Sequence, residues 1–175
     1  LTFNFDNSNQ TGGVIDTRLF IAGGTTATLA GTGALVLNGT ETGVQGAASS
    51  GANTSTLVNA AGHTIRGSGT LQQLVLDNAG TFTVTNAITL DDVKAGGTGI
   101  YNVDAGATLT LTNGSILNNS VLGIATGATL TLTNSTVLNT TINGTSGAIA
   151  GTGGTLQDVT TTGTLTLGSG STSST

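Results

Sequence analysis

The chain has 175 residues, a formal net charge of −5, 29 Gly, no Cys and one His, and only 6% of its residues are charged. This composition excludes a Cys/His metal site, and the three basic residues Arg18, Arg66 and Lys94 are too few for a nucleic-acid-binding patch. No apolar run reaches the ~18 residues of a membrane-spanning helix, yet 36% of the residues are apolar, which is enough to bury a core.

Residues 1–21 differ from the rest of the chain. They contain three of the four phenylalanines, Phe3, Phe5 and Phe20. The terminal turns of a repeat protein leave a sheet edge open and usually differ from the interior turns. We therefore expect this segment to be either a cap or a docking surface, with Phe3, Phe5 and Phe20 near a self-association junction.

Residues 22–167 contain a repeat of about 21 residues. GATLTLTN occurs at residues 106–113 and again at 127–134. The correspondence continues beyond the motif, where Ile116 and Val137 are also 21 residues apart. IRGSGTLQ begins at Ile65 and the related IAGTGGTLQ begins at Ile149, four such periods later. Such a period is typical of a solenoid, in which each turn stacks on the next.

Within each repeat, Thr alternates with Leu, Val or Phe, which predicts strands with one buried face. Short strands separated by Asn and Gly corners close one turn of a solenoid. We predict an all-β, right-handed parallel β-helix of about 21 residues per turn and roughly eight turns, with no substantial helix. An antiparallel sandwich is the competing fold, but it leaves the repeat unexplained.

Three local features accompany this prediction. Asn113 and Asn134, and likewise Asn118 and Asn139, fall one period apart, so we expect left-handed corners and stacked amide ladders. Residues 91–97 interrupt the repeat and are predicted to form a projecting loop, where Asp91, Asp92 and Asp104 could alternatively hold Ca²⁺. Residues 168–175 have the composition of a flexible tail.

The segment VNAAGHTIRGSGTL at residues 58–71, together with GATLTLTNG, resembles secreted bacterial β-strand-repeat proteins. These include filamentous-haemagglutinin-like exoproteins and the passenger domains of autotransporters. The resemblance covers most of the chain from about Ala22 and implies a long extracellular β-helix that serves as an adhesin, stalk or fibre. It supplies no catalytic motif.

We therefore expect a non-enzymatic structural segment of an extracellular fibre or adhesin, without a cofactor, metal, nucleic-acid partner or membrane-spanning segment. Its expected partners are further copies of itself, or further turns of a longer chain, and a surface glycan or receptor. His63 and Arg66 are expected to face solvent while Ile65 packs inward. The alternative function is an ice-binding or carbohydrate-binding face formed by the Thr rows.

Overall fold

The structure, a computed structural model, describes residues 2–4, 17–49, 52–168 and 171–174, which form strands and no helix. The strands are β1 (Thr2–Asn4), β2 (Thr17–Ile21), β3 (Thr26–Leu29), β4 (Ala34–Gly46), β5 (Ala48–Ser49), β6 (Ala52–Asn53), β7 (Thr56–Asn59), β8 (Thr64–Asn78), β9 (Thr81–Gly96), β10 (Ile100–Val103), β11 (Thr108–Thr112), β12 (Ile116–Asn118), β13 (Val121–Ile124), β14 (Thr129–Thr133), β15 (Thr136–Leu138), β16 (Thr141–Thr152), β17 (Gly154–Gln157), β18 (Thr160–Leu167) and β19 (Ser171–Ser174).

The strands stack into three columns of parallel ladders, here named faces A, B and C. Face A contains residues 2–4, 34–38, 64–68, 81–84, 100–103, 121–124, 141–144 and 160–163. Face B contains residues 17–21, 42–46, 69–72, 87–91, 108–112, 129–133, 148–152 and 166–167. Face C contains residues 26–29, 56–59, 75–78, 94–96, 116–118, 136–138, 155–157 and 171–174.

Each turn of the chain visits faces A, B and C once, which makes the fold a parallel β-solenoid. Thr81 pairs with Ile100, Ile100 with Val121, and Val121 with Thr141, so successive turns take 19, 21 and 20 residues. Each face carries eight strands, but the first and last turns include residues outside the described ranges, and without them about six turns are present, slightly fewer than the eight predicted. The predicted all-β solenoid is confirmed, and its right-handed winding stays a prediction.

The core is a narrow stack of mostly aliphatic side chains. Leu109, Leu111, Leu130 and Leu132 are 0% exposed, whereas Thr110 and Thr131 between them are half-buried on the outside. Leu109 pairs with Leu130 and Leu111 with Leu132 in adjacent turns. The alternation of Thr and Leu therefore places the leucines inward, as predicted, and each leucine packs on its equivalent one turn away.

Left-handed residues form the corners between faces. Between faces B and C this residue is Gln73, Asp92, Asn113, Asn134 or Gly153, with φ between 47° and 71°. Between faces C and A it is Gly97, Asn119, Asn139 or Asp158. Asn and Gly tolerate this conformation best, which explains why they punctuate the repeat. The left-handed corners predicted at Asn113, Asn134 and Asn139 are confirmed, whereas the one predicted at Asn118 is wrong, because the left-handed residue is its neighbour Asn119.

Buried serines complete the corner between faces B and C. The Ser115 hydroxyl accepts a hydrogen bond from the Val93 backbone N–H at 2.9 Å and donates one to the Leu90 carbonyl at 2.8 Å. One turn later, Ser135 donates to the Leu111 carbonyl at 2.9 Å. These hydroxyls pair with backbone groups at the corner, where the ladder bends. They thereby avoid the free-energy cost of a buried unpaired polar group, which is about 1–3 kcal/mol.

The predicted projecting loop at residues 91–97 is wrong. Residues 91–96 end strand β9, and Val93 and Ala95 are buried in the core. Asp91 pairs with Gln72 on one side and Thr112 on the other. Asp92 is the left-handed corner residue, equivalent to Asn113 one turn later. The segment is therefore an ordinary part of a turn whose corner carries Asp in place of Asn.

The insertion lies instead between β4 and β7. The chain leaves the solenoid after Ala47, at the end of face B, and returns at Ser55, and β5 and β6 pair in between as a small antiparallel ladder. Asn53 folds back on a later turn, where its Nδ2 donates to the Asp92 carbonyl at 2.6 Å. This insertion contributes to the length of its turn, which takes 30 residues from Ala34 to Thr64.

Two details of the predicted repeat are also corrected. Leu117 pairs with Val137, a step of 20 residues, because the Thr133–Ser135 corner has one residue fewer than the corner from Thr112 to Ser115. The Ile65 and Ile149 motifs are not equivalent: Ile65 pairs with Phe82 on face A, whereas Ile149 pairs with Leu130 on face B.

The terminal segments form strands as far as they are described. Ser171–Ser174 pairs with β17, so the flexible tail predicted for residues 168–175 is wrong in this part. At the other end, β1 and β2 both pair with β4. Within the predicted cap or docking segment 1–21, these strands continue the ladders of faces A and B.

Candidate functional site

The three phenylalanines predicted at a junction have different outcomes. Phe3 pairs through its backbone with Leu37 on face A, and Phe5 lies outside the described residues. Phe20 is 61% exposed, and its neighbours Leu19 and Ile21 pack toward the core. Phe20 therefore points sideways from face B, and its side chain does not cover the core.

Both ends of the solenoid present strand edges. Among the described residues, β1, β2 and β3 have ladder partners on one side only, and so do β18 and β19. Leu167 occupies the position equivalent to the buried Ile149 but is 57% exposed. Unpaired strand edges next to apolar side chains are surfaces on which a further strand can pair.

One of the two predicted amide ladders forms. The Asn139 Nδ2 donates to the Asn118 Oδ1 at 3.3 Å, across adjacent turns at the corner between faces C and A. Asn113 instead donates to the Asp91 carboxylate at 2.7 Å. The Asn113 amide therefore links the corner that contains Asp91 and Asp92 to the next turn.

Two of the three aspartates considered for Ca²⁺, Asp91 and Asp92, contact other partners. The Lys94 Nζ lies 3.5 Å from the Asp92 Oδ1 and donates to the Gly114 carbonyl at 2.5 Å. Asp104 lies exposed at a different corner, between faces A and B. No group of three or more His, Cys, Asp or Glu placed to hold a metal occurs in the part of the chain that the structure describes.

The threonines of face B form a regular array. Thr70, Thr89, Thr110 and Thr131 pair consecutively over four turns. A second row of threonines lies on each side of this central row. One contains Thr108 and Thr129, and the other contains Thr112, Thr133 and Thr152. Each strand of a ladder is one rung. Neighbouring rungs lie about 4.8 Å apart, and alternate residues along a strand lie about 6.6 Å apart. Asp91 and Ala87 border the array, and no loop interrupts it.

His63 does not face solvent, contrary to the prediction. It is 5% exposed, and its Nδ1 lies 2.8 Å from the Asn59 Oδ1, which can only accept, so Nδ1 carries the proton. The Asn59 Nδ2 donates to the Asn78 Oδ1 at 2.7 Å. Arg66 is exposed and Ile65 is buried, as predicted. The buried Asn59 and Asn78 link adjacent turns, which is a second amide ladder that the sequence interpretation missed.

Burial lowers the pKa of His63 below its ordinary value. Between the folded and unfolded pKa values the unfolded chain binds more protons, so stability rises with pH there and is lost as the pH falls below about 6.5. We expect the free energy of unfolding, measured in denaturant across this range, to fall more steeply for the wild type than for His63→Gln, whose amide can still donate to Asn59. If the free energy of unfolding changed with pH in the same way for both proteins, the lowered pKa of His63 would be contradicted.

No helix able to span a membrane occurs among the described residues. The chain matches no family model, no curated protein and no solved structure.

Proposed function

We propose that the chain is a non-enzymatic structural segment of an extracellular bacterial β-helical fibre or adhesin, built like filamentous-haemagglutinin-like exoproteins and autotransporter passenger domains. Its role is to supply reach and stiffness. The observation that carries the proposal is the ladder register. Equivalent positions on each face pair from turn to turn, so length grows by about 4.8 Å with every turn.

The open edges support extension along the axis. A strand that pairs on the free side of β18 or β19 continues the existing ladders, whether it comes from the same chain or from another copy. The two ends carry different residues, so copies would stack head to tail, and such a contact propagates into a filament when it does not close a ring.

Electron microscopy and sedimentation of the purified chain over a wide concentration range test this role. We expect rods of constant width whose length increases with concentration. The matched variant Leu167→Lys places a charge at the exposed core position of the last turn and should shorten the rods. Phe20→Ser, on the side of face B, is the control and should leave their length unchanged. A compact monomer at every concentration would overturn stacking.

The second candidate function is an ice-binding or carbohydrate-binding face on the Thr array. The observation that favours it is the unbroken register of Thr70, Thr89, Thr110 and Thr131. A thermal-hysteresis assay and a glycan array test it. Thr110→Tyr, which projects a ring from the centre of the array, should abolish either activity, whereas Thr83→Tyr on face A should not. Absence of both activities in the wild type would reject this candidate.

A further inference from the structure

Face C contains a groove of about 520 Å³ on the outside of the solenoid. Binding sites for small molecules usually enclose about 300–1,000 Å³. The groove lies over the turn that contains Ala95 and Gly96, and residues of the turns before and after it form the walls. It is separate from the Thr array, which lies on face B.

A residue without a side chain leaves a gap in the outward row of face C. In the outward row, Gly96 pairs with Asp77 and lies level with Asn118. A Cβ on Gly96 would lie 3.0 Å from the Asn118 carbonyl, so a side chain here would crowd that wall.

One wall of the groove is apolar. Val75, Lys94 and Ile116 occupy equivalent outward positions in three successive turns and all line the groove. The Lys94 ammonium is directed to the Gly114 carbonyl and to Asp92, so its methylene stem forms the middle of this wall. The three side chains offer a flat hydrocarbon strip on which the C–H groups of a ring can pack.

The other wall is polar. Asp77 is exposed, and an ionised carboxylate only accepts hydrogen bonds. Asn118 uses its Oδ1 to accept from Asn139, and its Nδ2 supplies donors. Asp77 and Asn118 lie two turns apart, so their backbones are separated by about 10 Å, and Gly96 lies between them. A ligand in the gap therefore meets an acceptor on one side and a donor on the other.

We propose that this groove binds a neutral polyhydroxylated ring, in chemical terms a mono- or disaccharide. The hydroxyls of such a ring both donate, as Asp77 requires, and accept, as Asn118 requires. Its C–H face matches the strip formed by Val75, Lys94 and Ile116. Asp77 repels an anionic ligand, and the hydrocarbon strip favours a ring over a small cation, so the groove suits a neutral ring. The site does not rest on the proposed structural role.

Titration of the ¹⁵N-labelled chain with neutral monosaccharides and disaccharides, followed by NMR, tests the proposal. We expect saturable shifts in the backbone amides of Asp77, Gly96, Gly97, Asn118 and Asn119, with weak affinity because the groove is open. Asp77→Asn keeps the shape and should weaken binding roughly tenfold or more. Gly96→Val fills the gap with a strand-forming side chain and should abolish binding.

Thr131→Val on face B is the matched control and should bind like the wild type. Thermal unfolding of each variant shows that the fold is retained. Three results would each overturn the proposal: no shift with any sugar, shifts confined to the Thr array, or tighter binding of putrescine or inorganic phosphate than of every sugar. If Gly96→Val fails to fold, an undiminished affinity in Asp77→Asn would be sufficient to reject the site.

Discussion

Replacing Leu130 with Asn is expected to lower the free energy of unfolding by about 3 kcal/mol or more. Leu130 is 0% exposed and packs between Leu109 and Ile149 of the adjacent turns. Asn has a similar shape, but it loses the apolar packing and brings an amide into a core that offers it no partner. Denaturant unfolding measures the change.

The neighbouring position provides the control. Thr131 is half-buried on the outside of face B, so Thr131→Val should change the stability by no more than about 0.5 kcal/mol. The two substitutions lie on adjacent residues of the same strand, on opposite sides of the ladder. Equal losses of stability would mean that the inward and outward faces are assigned wrongly.

Deletion of residues 92–96 is expected to abolish cooperative unfolding. It removes Val93 and Ala95 from the core, the left-handed corner at Asp92 and the backbone groups that pair with β8 and β12. The remaining residues cannot cover both faces B and C of that turn, so every later ladder loses its register. Circular dichroism during thermal unfolding measures the outcome.

Removal of the real insertion should have little effect. The Ala47 backbone N–H donates to the Ser55 hydroxyl at 3.0 Å, so the two ends of the insertion already meet. Replacing residues 48–53 with two glycines deletes the small ladder of β5 and β6 and the Asn53–Asp92 contact, and it leaves every core residue that the structure describes in place. If the variant that lacks residues 92–96 folded and the variant that lacks residues 48–53 did not, residues 92–96 would be the insertion and residues 48–53 part of a turn.

The turn period and the core could be predicted because they depend on local alternation. Thr and Leu alternate from Thr108 to Thr112, and the same letters recur from Thr129 to Thr133, so sequence alone defines the face and the period. The corner at Asp92 was misread because Asn and Gly are the usual left-handed residues. The position becomes visible only when Asp92 is aligned with Asn113 through the ladder.

Features that join different turns could not be predicted from local pattern. The burial of His63 depends on Asn59, four residues away, and on Asn78 in the next turn. The spacing of 19 residues between the two asparagines, close to the repeat period, is the signal of this pairing in the sequence. The face C groove exists because Gly96 lies between Asp77 and Asn118 of the adjacent turns, which requires the register of three turns to be known.

Distances between spin labels test the stacked register most directly. The chain contains no cysteine, so paired Cys substitutions label cleanly. Along the outward row of face B, Thr70 and Ala150 are four rungs apart, Arg18 and Thr131 five, and Arg18 and Ala150 six. A parallel solenoid predicts mean distances that rise by about 4.8 Å per rung, from about 19 to about 29 Å. Distances that do not increase in this order, as in an antiparallel sandwich, would contradict the fold.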